Sequence, residues 1–598
     1  MSLSSHRRTY LFILAGIMLL AFFLRVYRLD AYGIWFDEKS TLLVSQGVVL
    51  EGANQKDVFD KATTSYFTPQ EFWKPKTIND FIEANIRGDI GNSPSYYGLL
   101  WIWLKVFGLS DFSMRFFSVI FGILTLPLLY RFVTRHFKLE ADQASRLALI
   151  TCFLAAVEPY FVAQSHIARN YTMTFFLTLL ATHVFLLLLE KEAPNNRKAP
   201  YRSFALYGLL VALSLLSHYL AVTVFLGHGL FALIYVRKFG TWYRLALTAV
   251  LALGLVSLWF IYGGGAYTFF SLDNQAKLYR SIALTNPVNN GFGLILPATV
   301  ANVFWRSLPV FSDLVIFTNG LAAAVVGYRN FTLALLLGLV AAGLLMRYRR
   351  QRQTPAWVKF AFPAVLAIGL PFYSINPAQH LVLSAAVPFF CLMIAAMRED
   401  VSAKNRPLLV FLVILALVPT LFLLVMAFRS GHTYGITQRY SGFSFPYVFI
   451  LVALMLMKIT SLRFWFSLPL ALVLGVQAVL LTLLLQRIFN DSEPKYSSSP
   501  LARKPNPFWE SAQKIKAMYA EGDTVLYPSL RRHEYTEIDK IGRNFSVIDA
   551  QLVNVYLPKD ATYYQRIDPN EPDKIVLIKG RTGQKITIFD LEGMKYRY

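Results

Sequence analysis

Two adjacent carboxylates, Asp37 and Glu38, follow directly after the first hydrophobic segment of the chain. That segment, residues 10–23, carries no charge and comes after His6-Arg7-Arg8. Positive charge before a first membrane span holds that end in the cytoplasm, so the pair is expected on the outer face at headgroup depth. Acidic groups fixed there are well placed to act on a lipid-linked substrate. In isolation, ordinary loop charges are the alternative interpretation.

Composition indicates a protein that crosses the bilayer many times. Of the 598 residues, 55% are hydrophobic and only 16% are charged, which excludes an ordinary soluble globular protein. The net charge of +23 does not imply a nucleic-acid partner, because most Lys and Arg residues fall in short connections between apolar segments, where they set topology. The two cysteines, Cys152 and Cys391, lie inside apolar segments and indicate neither a disulfide framework nor a cysteine-based metal site.

Thirteen apolar segments have the length of a membrane span. They lie near residues 9–28, 113–131, 144–158, 171–189, 203–219, 220–236, 243–262, 330–346, 358–375, 380–397, 407–428, 443–457 and 464–486. Alternate connections are rich in Lys and Arg, whereas the short loops near Tyr160, His218 and Pro377 have almost none. The pattern predicts a multi-pass inner-membrane protein with a cytoplasmic N-terminus and a periplasmic or extracellular C-terminal region. The first segment lacks a small-residue cleavage pattern and is expected to be retained.

Two outer regions interrupt the membrane part, which we assign to residues 1–489. In the first, 29–112, the apolar stretch from Ser95 to Leu109 contains Lys105 and would reverse every later loop if it spanned the membrane. We therefore predict an interfacial helix on the outer surface. The second, 263–329, is rich in Gly, Asn and aromatic residues and is predicted to be irregular, as binding segments or lids beside a membrane often are.

The composition changes abruptly after Gln486. Prolines and the run Ser497-Ser-Ser499 predict a linker at 490–506. Residues 507–598 predict a small outer α/β domain that opens with a helix from Pro507 to Ala520. Apolar alternation predicts its strands near Thr524–Tyr527, Ser546–Tyr556, Lys574–Ile578 and Lys585–Phe589. This region contains no recognisable phosphate loop or metal cluster, and its role is not legible from the sequence.

Several sequence blocks occur in a particular order. They are Arg25-x-Tyr-x-Leu-Asp30 with Trp35-Phe-Asp37-Glu38, Asn92-Ser-Pro94-Ser-Tyr96-Tyr97 leading to Met114-Arg115-Phe-Phe-Ser118, Glu158-Pro159 with Ser165-His-Ile-Ala-Arg169-Asn-Tyr171, and the later Arg439-Tyr440. Together they resemble the C-type (GT-C) glycosyltransferase superfamily. The bacterial branch, similar to protein O-mannosyltransferases and the lipid A aminoarabinose transferase, matches best. The resemblance covers the first 190 residues well and the rest loosely.

The resemblance implies a GT-C fold and transfer of a sugar from a polyprenyl-phosphate donor to a lipid, glycan or protein acceptor on the outer face. An acceptor hydroxyl is a poor nucleophile until a positioned base takes its proton. Asp37 is the candidate base, with inversion at the sugar carbon. Glu38 is assigned to the same catalytic pair, to orient the acceptor or tune Asp37. Arg115, just inside the second span, is expected to pair structurally with Asp111 or with a carboxylate of the first outer region.

A departing lipid phosphate needs positive charge rather than a general acid, because it leaves as a stable anion. Arginine can grip phosphate oxygens bidentately, and the arginines expected outside are Arg439, Arg306, Arg280 and Arg169. Arg439 is the first choice because it lies in a polar loop between two spans, while interfacial anchoring is the alternative for each. The resemblance adds Asn92, Tyr97, Tyr171 and Tyr440 to the donor site. Two positions depart from the family pattern: Asn92-Ser93-Pro94 replaces a block that often has His or Lys before two prolines, and Asn170 replaces a carboxylate that some relatives carry.

No cofactor is predicted with certainty. No spaced cluster of His, Asp and Glu argues for an intrinsic metal site, and a divalent ion on Asp37 and Glu38 is less favoured because coordination needs more oxygen ligands. The expected partners are the lipid-linked donor, the acceptor and membrane lipids. The alternatives are a lipid-linked saccharide transporter or flippase, an oligosaccharide ligase or polymerase, and a non-catalytic scaffold. A transporter would predict mid-membrane charges and paired broken helices, and neither stands out.

Overall fold

The computed structural model describes residues 2–49, 66–88, 93–192, 199–288, 290, 293–324, 328–350, 355–400, 403–492, 496, 503–529, 547–568, 570–593 and 595–597. Within these ranges helices dominate, and a four-stranded sheet lies near the C-terminus. In chain order the helices are α1 (Ser2–Val26), α2 (Phe36–Ser45), α3 (Pro69–Phe72), α4 (Ile78–Gly88), α5 (Pro94–Phe107), α6 (Asp111–His136), α7 (Ala141–Val157), α8 (Pro159–Ser165), α9 (Tyr171–Lys191), α10 (Tyr201–Ser217), α11 (Val222–Tyr235), α12 (Phe239–Tyr262), α13 (Gly265–Thr285), α14 (Val300–Leu314), α15 (Leu321–Ala324), α16 (Tyr328–Arg350), α17 (Ala356–Ile368), α18 (Pro377–Ala395), α19 (Arg406–Ser430), α20 (Gln438–Ser441), α21 (Phe445–Thr460), α22 (Phe464–Phe489), α23 (Pro507–Met518) and α24 (Ile548–Tyr556).

All thirteen segments predicted to span the membrane are helical. Within the described part of the chain, nine helices are long and apolar enough to cross a bilayer. The pair α7 and α8, bent by 59°, makes a tenth candidate, and the apolar segments at α10, α11 and α17 are shorter. The prediction of a multi-pass helical membrane protein is confirmed.

The basic connections lie together at one end of the bundle. The Lys138 backbone N–H, after α6, donates to Asn405 Oδ1 before α19 at 2.7 Å. Arg244 near the start of α12 pairs with Glu192, just past α9, at 2.7 Å. These contacts join connections that are far apart in sequence but share a predicted side, so they agree with the predicted alternation of loops.

The stretch from Ser95 to Leu109 forms α5, whose two faces differ. Tyr96, Tyr97, Leu100 and Leu104 are buried, while Leu99, Trp101, Ile102, Val106 and Phe107 are exposed. The Lys105 ammonium lies 3.7 Å from the centroid of the Trp101 ring. An exposed apolar face on a short helix fits an element that lies along the lipid surface rather than across it.

The prediction that residues 263–329 are irregular is wrong. Helices α13 and α14 occupy most of this region. Three consecutive glycines, Gly263 to Gly265, lie at the start of α13, where Gly264 has a φ of +81° as the N-cap. Phe269, Phe270 and Leu272 follow on α13 as exposed residues, which makes it a second helix with an apolar outer face.

The C-terminal part contains the sheet, with strands β1 (Thr524–Pro528), β2 (Tyr564–Asp568), β3 (Lys574–Ile578) and β4 (Lys585–Asp590) in the order β2-β1-β3-β4. Strand β1 is parallel to β2 and antiparallel to β3, which is antiparallel to β4. The predicted helix at 507–520 and three of the predicted strands are confirmed. The predicted strand at 546–556 is wrong, since Ile548–Tyr556 is helix α24, and β2 was not predicted. Residues 548–555 are buried all round, so no helical period was visible.

The C-terminal part and the first outer region share one hydrophobic core. Gln551 Nε2 donates to the Val49 carbonyl at 2.9 Å, and Trp73 Nε1 donates to the Asn554 carbonyl at 2.9 Å. The sheet therefore lies at the same end of the molecule as α2. Most of the predicted linker at 490–506 lies outside the described residues, but Tyr496 is buried in the membrane-domain core.

Candidate active site

Asp37 and Glu38 form the first turn of α2. Trp35 is the N-cap, and its backbone N–H donates to Glu38 Oε2 at 3.3 Å. Negative charge is favourable at this end because the helix dipole is positive there. Further along α2, Leu43 and Val44 are buried in the core shared with the C-terminal part. This packing holds the first turn of the helix in place.

Asp37 forms an ion pair with Arg439. Arg439 Nη1 donates to Asp37 Oδ2 at 3.0 Å, and the two side chains are 18% and 23% exposed for Arg439 and Asp37 respectively. The Arg439 carbonyl accepts a hydrogen bond from Tyr160 Oη at 3.1 Å. A Cβ atom at Gly442 would overlap the Tyr160 hydroxyl and the Phe175 ring, so glycine allows the loop to pack this closely. The first-choice base and the first-choice phosphate ligand are in direct contact.

Glu38 has a different environment, because its side chain is fully buried. Arg115 donates Nε to Glu38 Oε1 and Nη2 to Oε2, both at 2.8 Å, and the Ala168 N–H donates to Oε1 at 2.8 Å. Arg115 also donates to three carbonyls of the loop 29–33. The predicted structural pairing of Arg115 with a carboxylate of the first outer region is confirmed.

The charge state of Glu38 follows from these contacts. Burial by itself raises the pKa of the Glu38 carboxyl, but the charge and hydrogen bonds of Arg115 outweigh it and hold the pKa below its usual value. Arg503 Nη1, 3.8 Å from Oε2, acts in the same direction. A carboxylate that is ionised, buried and fully hydrogen-bonded is suited to anchoring a helix rather than to accepting a proton.

Arg169 contacts the Asp37 backbone, and Tyr97 contacts Arg169. Arg169 Nη1 lies 3.2 Å from the Asp37 carbonyl oxygen, 3.2 Å from Thr41 Oγ1 and 3.1 Å from Tyr97 Oη. Thr41 Oγ1 donates to the same Asp37 carbonyl at 3.0 Å. The structure therefore brings Arg169 to the first turn of α2 beside Asp37, with Tyr97 behind it.

Aromatic rings lie around the ion pair. The Arg439 guanidinium lies 5.0 Å from the centroid of the Tyr440 ring. The His218 ring lies 6.1 Å from Tyr440 and 5.5 Å from Tyr171 between centroids. Tyr171 and Tyr440, both predicted from the resemblance, are thus part of one cluster with Arg439. Tyr440 and His218 are partly exposed, whereas Tyr171 is buried.

Two further arginines predicted to bind the donor phosphate, Arg280 and Arg306, are not part of the cluster around Asp37 and Arg439. Arg280 packs against Gly431, and its neighbour Tyr279 lies 4.1 Å between ring centroids from Tyr434, in the loop that leads to Arg439. Arg306 lies on α14, and burial lowers the pKa of its guanidinium. Within the described residues neither arginine contacts Asp37. Asn92 lies outside the described residues.

The residues that support the pair were not predicted. Gln438 Nε2, next to Arg439, donates to Asp313 Oδ2 at 2.9 Å, and Asp313 Oδ1 accepts from the Gly320 N–H at 2.9 Å. Asp313 lies in the region predicted to be irregular, so nothing in the sequence marked it. Thr41 could have been predicted, because it lies four residues after Asp37 on the same helix and residues four apart on a helix are neighbours.

The described residues contain no group of three or more His, Cys, Asp or Glu side chains placed to hold an ion. Asp37 and Glu38 also bind different arginines. They are therefore not arranged as a shared pair of ligands.

Residues 92–262 match the family model described as dolichyl-phosphate-mannose-protein mannosyltransferase. The resemblance to the C-type glycosyltransferases is confirmed over this segment. The matched segment includes Tyr97, Arg169 and Tyr171 but neither Asp37 nor Arg439. The pairing of those two residues is therefore known from the geometry alone.

Solved structures give more distant likenesses, and no curated protein matches the chain. ArnT from Cupriavidus metallidurans bound to undecaprenyl phosphate is 13% identical, over 92% of this chain and 84% of that chain, with a TM-score of 0.35. The oligosaccharyltransferase AglB from Archaeoglobus fulgidus, in complex with an inhibitory peptide and a dolichol-phosphate, is 15% identical, over 86% of this chain and 58% of that chain, with a TM-score of 0.41. At these TM-scores the likenesses carry no argument about mechanism.

Proposed function

We propose that the protein is a membrane glycosyltransferase that moves a sugar from a polyprenyl-phosphate donor to a hydroxyl of a lipid, glycan or protein acceptor. The observation that carries this proposal is the contact of Asp37 with Arg439 at 3.0 Å. It puts a carboxylate that can take a proton beside a guanidinium that can bind a phosphate. Both side chains are partly exposed, in contrast to the buried pair of Glu38 and Arg115.

In the proposed reaction, Asp37 accepts the proton of the acceptor hydroxyl as the oxygen forms a bond to the anomeric carbon. The bond from that carbon to the phosphate oxygen breaks, and its electron pair leaves with the polyprenyl phosphate. Arg439 binds the phosphate and stabilises the negative charge that develops there. Inversion requires the base and the leaving group on opposite faces of the sugar. The sugar therefore has to lie between Asp37 and Arg439, and the ion pair opens when the donor binds.

The first turn of α2 must keep its position when Arg439 moves away from Asp37. Glu38 and Arg115 anchor this turn from the buried side, and Arg169 with Thr41 holds the Asp37 carbonyl. A base that is fixed by groups other than its own counterion stays in place through the reaction, which is what general-base geometry needs.

The direct test is a transfer assay with radiolabelled polyprenyl-phosphate sugars and crude acceptor membranes. We expect Asp37→Asn to reduce transfer by roughly 100-fold or more, within the usual range for a general base. Asp30→Asn is the matched control, since Asp30 is an exposed carboxylate of the same outer region, and it should transfer normally. Equal transfer by wild type and Asp37→Asn would remove Asp37 from the mechanism. Transport without any transfer by the wild type would favour a flippase.

We further propose that the site faces the periplasm or extracellular space, because the opposite end of the bundle carries the basic connections. The orientation can be tested in intact cells with a membrane-impermeant maleimide, using a Cys391→Ser background. Lys585→Cys, on the sheet, should be labelled, and Arg398→Cys, at the basic end, should not. The reverse pattern would contradict the orientation.

A further inference from the structure

A cavity of about 350 Å³ lies at the basic end of the bundle, at the opposite end of α9 from Tyr171 of the candidate active site. It lies where α9 ends and α12 begins. Its lining residues are Lys191, Glu192, Lys238, Phe239, Gly240, Thr241 and Arg244. Three cations and one carboxylate therefore face the same space.

The carboxylate is already engaged by the protein. Glu192 accepts hydrogen bonds from Arg244 Nη1 at 2.7 Å, from the Ala199 N–H at 2.8 Å and from Thr241 Oγ1 at 3.2 Å. It is buried, and it neutralises Arg244 while holding it against the start of α12. The cavity wall is thus built by a fixed buried group rather than by mobile surface charges.

The two lysines keep their charge available to a ligand. Lys238 Nζ donates to the Glu192 carbonyl at 2.9 Å, which is a neutral acceptor. Lys191 is exposed at the end of α9. Both ammonium groups line a cavity at the amino-terminal end of a 24-residue helix, where the helix dipole also favours an anion.

An apolar surface continues from the cavity along the helix. Phe239 is 83% exposed at its rim, and Val250 and Leu251 are exposed further along α12. Helix α12 is a candidate membrane span with only a small buried fraction, so this face is expected to contact acyl chains. A ligand for the cavity can thus have an anionic head beside the lysines and a hydrocarbon tail along α12.

We propose that this cavity binds the phosphodiester head group of an anionic phospholipid, with its acyl chains along the exposed face of α12. Basic pockets between membrane helices are suited to such head groups. The site is separate from Asp37 and Arg439, and the proposal does not depend on the proposed function.

The test measures phosphatidylglycerol bound to the full-length protein in detergent micelles by native mass spectrometry. The variant is Lys191→Gln/Lys238→Gln, since both lysines are exposed and their loss leaves the Glu192 contacts to Arg244, Ala199 and Thr241 intact. We expect about 25-fold weaker binding, from roughly fivefold for each lysine near an anionic lipid. The control, Arg398→Gln/Lys404→Gln, removes the same charge from exposed positions at the same end of the bundle and should bind as the wild type does.

Three results would overturn the proposal: no loss in the lysine variant, an equal loss in the control, or displacement of the lipid by inorganic phosphate as readily as by phosphatidylglycerol. The first places the lipid elsewhere, the second indicates general surface charge, and the third indicates a simple anion site. The two single variants, each with a thermal midpoint within error of the wild type, separate binding from folding. We expect each of them to show an intermediate loss.

Discussion

Two neighbouring carboxylates in one helical turn have opposite surroundings. Asp37 is partly exposed and pairs with Arg439 of α20, 402 positions away in sequence. Glu38 is fully buried and receives two hydrogen bonds from Arg115 and one from the Ala168 amide. Both pairs are short, so distance alone does not separate them. The two pairs differ in exposure, which decides whether a ligand could reach the pair and replace one of the partners.

The difference shows how one turn can combine an anchor with a reactive group. An ion pair buried among saturated hydrogen bonds costs several kcal/mol to break, because the remaining charge has no partner. The pair of Asp37 and Arg439 keeps some exposure to solvent, so opening it costs less than breaking the fully buried pair. In the proposed mechanism, the buried pair fixes the backbone, and the partly exposed pair exchanges its carboxylate for the donor phosphate.

The largest expected effect on stability is that of Glu38→Gln. It leaves Arg115 charged in a buried site, so we expect a loss of about 3–5 kcal/mol in unfolding free energy. Because the pKa of Glu38 is below its usual value in the folded protein, its contribution is present at neutral pH and is lost as the pH falls through that lowered pKa. Thermal unfolding in detergent at several pH values measures both effects. Asp37→Asn is the control and should cost less than Glu38→Gln, because its partner Arg439 keeps some exposure; a native midpoint for Glu38→Gln together with lost turnover would make Glu38 catalytic instead.

A smaller effect is expected for Arg439→Ala, on use of the donor. Loss of a charge-assisted contact of about 1.5–3 kcal/mol should lower kcat/KM for the polyprenyl-phosphate donor by roughly one to two orders of magnitude. The kcat/KM of Arg439→Lys should lie between those of the wild type and Arg439→Ala, since lysine keeps the charge but not the bidentate geometry. Arg429→Ala, which removes an exposed arginine from the end of α19, is the matched control. If donor saturation is unchanged in Arg439→Ala, the phosphate is held elsewhere, with Arg306 and Arg280 next in line.

The smallest expected effect is that of Tyr97→Phe. It removes the hydroxyl that accepts from Arg169, a contact of about 0.5–1.5 kcal/mol, and so loosens the support of the Asp37 carbonyl. Transfer should fall by roughly twofold to tenfold with little change in donor KM. Tyr96→Phe is the comparison, because Tyr96 is also buried but contacts Ser118 rather than Arg169. A larger loss in Tyr96→Phe would show that the hydroxyl of Tyr97 has no special position.

The sequence predicted those features that depend on local pattern. Apolar length located all thirteen helices, and basic loops predicted which connections lie together, as the contact of Lys138 with Asn405 agrees. The position of Asp37 and Glu38 just after the first span could also be predicted, because it depends only on the local order of apolar and charged residues. Arg439 was predicted from its place in a polar stretch between two spans, but its contact with Asp37, 402 positions away, gives no local signal.

Features that depend on tertiary packing were missed. Helix α24 is buried on every side, so its apolar residues have no period, and it resembled a strand. The division of roles between Asp37 and Glu38 could not be predicted, because it depends on which arginine each one meets. Arg115 was expected to pair with Asp111 or a nearby carboxylate, yet its choice of Glu38 follows only from how α6 packs on the loop 29–33.

The central claim is that Asp37 and the donor phosphate exchange places on Arg439, and equilibrium binding of a polyprenyl phosphate tests it most directly. The measurement compares wild type, Asp37→Asn and Arg439→Ala in the same detergent. We predict that Asp37→Asn binds the lipid phosphate at least as tightly as the wild type, because Arg439 no longer has a competing carboxylate. Arg439→Ala should bind it roughly 10- to 100-fold more weakly. Equal binding by wild type and Arg439→Ala, or an equal loss in both variants, would contradict the account.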